Sequence, residues 1–129
     1  MITEDYVSLE TAKLLKEKGF DGDCRAYYYS AGSFSYEKYP VESGGAEMHN
    51  AILAPTLQMT MKWLREVHYC HIVVNYTFKG DAELTNDYAL YIYEVENAKT
   101  FVHRITNGFF NTYEEACEDA IKYCLEILI

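Results

Sequence analysis

Hydrophobic and polar positions alternate along this chain with two distinct periods, and the helical one is clearest at the end. From Thr112 to Ile129, Tyr113, Ala116, Cys117, Ala120, Ile121, Tyr123, Cys124, Ile127 and Leu128 share one face, while Glu114, Glu115, Glu118, Asp119, Lys122 and Glu126 share the other. Thr112-Tyr113-Glu114-Glu115 in front of that stripe is a capping box, in which the Thr hydroxyl accepts the N–H of Glu115. A second helix is predicted over Thr56–Val67, where Leu57, Met61, Trp63, Leu64 and Val67 fall within about 160° of arc. Gln58, Lys62, Arg65 and Glu66 lie opposite, and Pro55 suits the first helical position, where its missing N–H costs nothing. A third, weaker stripe (Leu9, Ala12, Leu14, Leu15) predicts a helix over Ser8–Lys18, capped by Ser8 and stopped by Gly19.

The other period is two. His71–Lys79 and Tyr88–Glu96 read as an antiparallel strand pair joined by the polar stretch Gly80–Asp87. Cys24–Tyr29 and Phe34–Tyr39 read as strands around the turn Ser30-Ala31-Gly32-Ser33, with Pro40 ending the second. Thr100–Ile105 gives one more strand, and Val41–Ala54 has no pattern and reads as a loop. The expected architecture is one α+β domain over residues 1–129, a mostly antiparallel sheet of about 4–5 strands packed against three helices. Leu57, Met61, Trp63, Leu64, Ile121, Cys124 and Leu128 should form the core, with Ile72, Val74 and Phe78 beneath them.

Composition narrows the classes of function. The 129 residues are 50% hydrophobic and 16% aromatic, too apolar for a disordered tail, and no apolar run approaches the ~18–20 residues of a membrane span. The start, Met1-Ile2-Thr3-Glu4-Asp5, is acidic where a secretory or transit leader is basic, so a cytoplasmic location is expected. The net charge is −9, and from Asp81 onward ten acids face three bases. Lys13, Lys16 and Lys18 are the one close basic cluster, so nucleic-acid binding is not expected. From Thr56 onward the order α-β-β-β-α is that of double-stranded-RNA-binding domains, yet Glu114 and Glu115 would repel phosphate at the last helix.

Candidate chemistry is sparse. Cys24, Cys70, Cys117 and Cys124 have no CxxC spacing, and the last two fall on the apolar face of one helix, where free Cys acts as a small hydrophobe. Cys24 is the most accessible candidate nucleophile, but Asp21 and Asp23 nearby would raise its thiol pKa. His68, Cys70 and His71 are a candidate zinc cluster. Adjacent strand residues point to opposite faces, so Cys70 and His71 cannot both meet one ion, and His49 or His103 would have to complete the set. No catalytic, cofactor or metal residue is therefore assigned, and purified protein is expected to carry no stoichiometric zinc. The thirteen Tyr concentrate on the proposed strands and would cover a half-exposed sheet face, a surface suited to protein contact or dimerisation. Tyr91 and Tyr93 on that face, with Glu118, Asp119 and Glu126 on the acidic helix face, form the candidate interaction surface.

Three blocks carry a resemblance. They are Tyr6-Val7-Ser8 with Ala12–Asp21, Ala54–Met59 with Lys62–His68, and Thr112–Glu118 with Ala120–Glu126. Together they resemble a family of small uncharacterised proteins of gut Bacteroides-type bacteria and their phages or mobile elements. The resemblance implies a bacterial cytoplasm or an infected cell and an accessory role, and it brings no activity, cofactor or catalytic residue. The expected function is a non-enzymatic accessory protein that contacts another protein, whose surface would be basic if it meets the acidic helix, as a monomer or homodimer. Two other classes stay open: a small Cys/His hydrolase or metal-dependent enzyme, and an acidic nucleic-acid mimic.

Overall fold

The computed structural model describes residues 2–29, 31–41, 51–78, 89–106 and 108–129, without the side chains of 38–41, 78 and 89. The predicted connection Gly80–Asp87, most of the predicted loop Val41–Ala54, His49, and the side chains of Tyr39, Phe78 and Tyr88 lie outside the described residues.

The three predicted helices are present, each begun by a hydroxyl cap. In α1 (Leu9–Glu17) the Ser8 Oγ accepts from Thr11 N, and Gly19 follows the helix at φ +86°, a conformation glycine adopts without strain. In α2 (Leu57–His68) the cap is Thr56, which accepts from Met59 N at 3.0 Å. Pro55 therefore precedes the cap instead of opening the helix, and its carbonyl accepts Val7 N at 3.0 Å. In α3 (Tyr113–Tyr123) Thr112 accepts from Glu115 N at 3.1 Å, as the capping box requires. The helix then widens into a π turn, Cys124–Leu128, closed by Ile129 N on Cys124 O.

Among the described residues the strands form two antiparallel sheets of three, not one sheet of 4–5. The first has the order β2-β1-β3, with β1 Cys24–Tyr29, β2 Phe34–Val41 and β3 Ala51–Leu53. Strand β2 runs past Pro40 to Val41, and because β2 is an edge the missing N–H can be spared there. Strand β3 lies inside the expected loop, and three residues are too few to show a period. The second sheet has the order β4-β5-β6, with β4 Cys70–Phe78, β5 Ala89–Asn97 and β6 His103–Ile105. An unbroken ladder from Cys70↔Asn97 to Phe78↔Ala89 joins β4 and β5. The predicted strand Thr100–Ile105 loses its first residues to a turn in which Phe101 takes φ 59°.

One continuous core joins both sheets. Helix α3 supplies Cys117, Ala120 and Ile121 to it, α2 supplies Leu57, Met61 and Leu64, and β5 supplies Tyr93 and Val95. The first sheet adds Ala26, Tyr27, Ala51 and Leu53. Four of the residues expected in or beneath the core, Trp63, Ile72, Val74 and Leu128, are only partly buried and pack against it. Leu128 packs on the rim, and Trp63 meets Phe20 and His68 edge-on at 5.4 and 4.7 Å. Val67 of the predicted apolar arc is 51% exposed. Among the described residues no helix is long and apolar enough to cross a membrane.

Asn97 ties the end of the second sheet. It is 3% exposed, its Nδ2 donates to His68 O (3.3 Å) and Cys70 Sγ (3.4 Å), and its Oδ1 accepts Lys99 N and Thr100 N. The two non-glycine residues at positive φ, Tyr69 and Phe101, sit on the two turns that it joins.

Two stability predictions follow from these placements. Leu64, fully buried, should cost about 2–5 kcal/mol when changed to Ala, read by urea unfolding. Asn97→Ala strips one donor from the partly buried His68 carbonyl and the acceptor from two turn N–H groups, and should cost about 2–3 kcal/mol. A melting curve unchanged by either substitution would refute the corresponding placement.

Candidate functional site

The most built surface of the chain is an aromatic face on the first sheet. Strand pairing sets Tyr28 opposite Phe34 and Ala26 opposite Tyr36, and the segment before α1 lays Tyr6 over them. Ring centroids lie 5.5 Å apart for Tyr6–Phe34, 6.1 Å for Tyr6–Tyr36 and 5.3 Å for Tyr28–Phe34, in tilted and edge-on contacts that aromatic quadrupoles favour. Phe34 and Tyr36 remain 48% and 52% exposed. Polar tips hold the rings in place: Arg25 Nη1 donates to Tyr36 Oη at 3.3 Å, and Tyr28 Oη donates to Val7 O at 2.8 Å. Burial, then the Tyr36 hydroxyl, pushes the Tyr6 phenol above its ordinary pKa.

A shallow cleft of about 170 Å³ adjoins this face, lined by Glu4, Tyr6, Asp23, Cys24, Arg25 and Met59 among others. Cys24 does not make it an active site. Its Sγ donates to Gly22 O at 3.6 Å, and burial, reinforced by Asp23, pushes the thiol up to about 12. A thiol nucleophile needs the opposite shift. A second cleft of about 200 Å³ lies along Thr3, Glu4, Asp5, Gln58, Tyr113 and Glu114.

The other cysteines are sealed. Cys70, Cys117 and Cys124 have no exposed surface. Burial raises Cys117 to about 11. Cys124 keeps its proton and donates it to Cys70, and that bond with burial raises its thiol far above the ordinary range. The bond from Cys124, against the pull of burial and with help from Asn97, holds Cys70 at about 7. This is a buried hydrogen-bonded chain with no route for a substrate. Of the candidate zinc cluster, Cys70 points inward, His71 lies exposed on the other face of β4, and the His68 ring packs against Trp63. Among the described residues no three His, Cys, Asp or Glu side chains are gathered to hold a metal.

The five expected contact residues serve the fold to very different degrees. Tyr93 is 1% exposed and buried, with its Oη donating to Asp119 Oδ2 at 2.7 Å, so neither its ring nor its hydroxyl is open to a partner. Tyr91 is half-buried between Tyr76 and Tyr113, at 5.6 and 6.1 Å. Asp119 is exposed but holds the Tyr93 hydroxyl, and Glu126 is exposed. Glu118 is half-buried, and its Oε1 accepts Ser8 N (3.0 Å), Ser8 Oγ (2.6 Å) and Thr11 Oγ1 (2.5 Å). Lys122, one turn further along the same helix, bonds instead to Glu10 at 3.0 Å. Charge-assisted bonds at the positive end of α1 outweigh an i, i+4 pair worth a few tenths of a kcal/mol. The aromatic face on β1 and β2 was within reach of the sequence only as Tyr density; the pairing that gathers it with Tyr6 left no local signal.

Glu118→Ala should therefore lower stability by about 1–3 kcal/mol, since it strips three donors at once. Glu126→Ala should stay within about 0.5 kcal/mol. Parallel denaturant titrations check the pair, and equal effects would mean that the contact to α1 contributes nothing. No protein-family model, curated protein or solved structure matches the chain.

Proposed function

We propose that this chain is a non-enzymatic accessory protein that works by protein–protein contact, with the aromatic face of β1 and β2 as its contact surface. The observation that carries the reading is the packing of Phe34 and Tyr36, each about half exposed, onto Tyr6 and Tyr28. Aromatic rings already fixed by neighbours lose little entropy on binding, and Tyr, Phe, Met and Arg are the residue types enriched at interface centres. Arg25 and Met59 edge this patch, and Glu4 and Asp23 supply an acidic rim suited to a partner with basic residues around an apolar centre. The net charge of −9 argues against nucleic acid as that partner. The phage or mobile-element setting, in a bacterial cytoplasm, rests on the sequence blocks alone.

Two observations weigh against the other classes. The raised thiols of Cys24, Cys117 and Cys124, and the complete burial of Cys70, disfavour a cysteine hydrolase. A phosphate-mimicking acidic row is disfavoured because Glu118 and Asp119 spend their oxygens on Ser8, Thr11 and Tyr93.

The double variant Phe34→Ala/Tyr36→Ala removes the exposed rings while leaving the buried core alone. Immobilised wild type should retain a protein from bacterial host lysate that the folded variant releases. If light scattering shows a wild-type dimer and a variant monomer, the contact is with a second copy. A partner held equally by both forms would overturn the assignment of this face.

A further inference from the structure

Among the described residues the two sheets have four edge strands, and three of them are protected against pairing with another chain. Strands β3 and β6 have only three residues each, and β6 carries Arg104. Strand β2 carries Glu37, Lys38 and Pro40, and its pairing with β1 is irregular between Cys24 and Ala26. Strand β4 has none of these devices. Its nine residues, Cys70–Phe78, include no Pro, Lys, Arg, Asp or Glu, and its ladder with β5 is unbroken. We propose that β4 pairs with β4 of a second copy of this chain, antiparallel about a two-fold axis, so that the two second sheets join into one of six strands.

Hydrogen bonds fix which backbone groups this edge offers. Asn97 N donates to Val102 O (2.8 Å) and Thr106 N to Tyr93 O (3.0 Å), so Tyr93, Val95 and Asn97 turn their N–H and C=O toward β6. Glu94 and Glu96 then turn theirs toward β4, where they meet Val73 and His71. Ala98 N on Tyr69 O (2.9 Å) continues the same alternation. Ile72 and Val74 therefore point their N–H and C=O away from β5, and among the described residues no group bonds to them there. Burial agrees. Ile72 and Val74 face the core yet are only partly buried, whereas Val95 and Tyr93, their partners on β5, are each 1% exposed.

A second copy suits this edge in hydrogen bonding, shape and charge. A two-fold axis presents the same strand from both sides. With the axis at Val73, Ile72 lies opposite Val74 of the second copy and Val74 opposite its Ile72. Each pair exchanges both its N–H···O bonds, so the free groups of both residues are satisfied. Val73, 51% exposed on the outer face, meets its own counterpart in the pair type where side chains come closest. The chain carries a net charge of −9, so two copies repel in general. Strand β4 holds none of its acids, and Glu94 and Glu96 stand one strand back, about 5 Å further from the axis. At this edge the two copies meet without opposed carboxylates. The proposal is independent of the aromatic contact surface, which lies on the other sheet.

The test uses the full chain, without a tag, in sedimentation equilibrium and amide hydrogen exchange. Wild type should sediment as a dimer. In that dimer the amides of Ile72 and Val74 should be protected like those of His71 and Val73, which bond to β5. Val73→Lys sets two ammonium groups against each other at the axis while leaving the core alone, and should weaken association by more than about tenfold. The exchange pattern is read on the wild type, so the assignment holds or fails whether or not the variant folds. A wild type still monomeric at roughly 500 µM would overturn the proposal. So would a dimer in which Ile72 and Val74 exchange without protection, or a folded Val73→Lys variant that associates as tightly as wild type.

Discussion

Everything in this fold turns on one helix that must bury a narrow stripe against the second sheet and the two other helices. Ala116, Cys117, Ala120, Ile121 and Cys124 have no exposed surface, and most of them are small. Small residues let the axis of α3 lie close to the β4–β5 sheet and leave room for α1 and α2 at its sides. The opposite side of the stripe is then pressed against polar neighbours. Glu118 lands on the first turn of α1, Lys122 reaches Glu10, and Asp119 takes the Tyr93 hydroxyl. The charges of α3 are fasteners as much as solvated surface, and they bind segments 110 residues apart.

What could be read from the sequence is what depends on near neighbours. The three helices follow from period and caps, and Ser8, Thr56 and Thr112 all cap as hydroxyls should. The β4–β5 pair follows from alternation. The number of sheets does not, because nothing local distinguishes one sheet of five strands from two of three. Strand β3 is too short to alternate, and Phe101 breaks a sequence that looks extended by entering the left-handed region. Glu118 shows the same limit: its i, i+4 neighbour Lys122 is visible in the sequence, and its partners Ser8 and Thr11 are not.

Tyrosine shows the same limit on the functional side. Its abundance on strands was plain, yet the chain uses it in opposite ways. Tyr93 is a core residue whose hydroxyl is satisfied by Asp119, and Tyr27 is buried with its hydroxyl donating to Glu37. Tyr36 keeps half its surface in water while its ring packs on Tyr6. A phenol can end in either place because its ring rewards burial and its hydroxyl needs one partner. Which outcome holds is decided by strand register, and register also decides that Glu96 stands between two histidines.

Register at that end of the second sheet is held against strain. Tyr69 and Phe101 are bulky residues in the left-handed region, a conformation that costs roughly 1–2 kcal/mol each. Phe101 is 83% exposed, so packing returns little of that cost. The compensation is Asn97, buried and bonded through both side-chain atoms to both turns, together with Ala98 N on Tyr69 O at 2.9 Å. Net hydrogen bonds of about 1 kcal/mol each, several converging on one buried amide, are enough to hold two strained turns. The outer and inner faces of this sheet thus share one anchor: Asn97 meets Cys70 Sγ at 3.4 Å among the sealed thiols while its neighbour Glu96 faces the solvent.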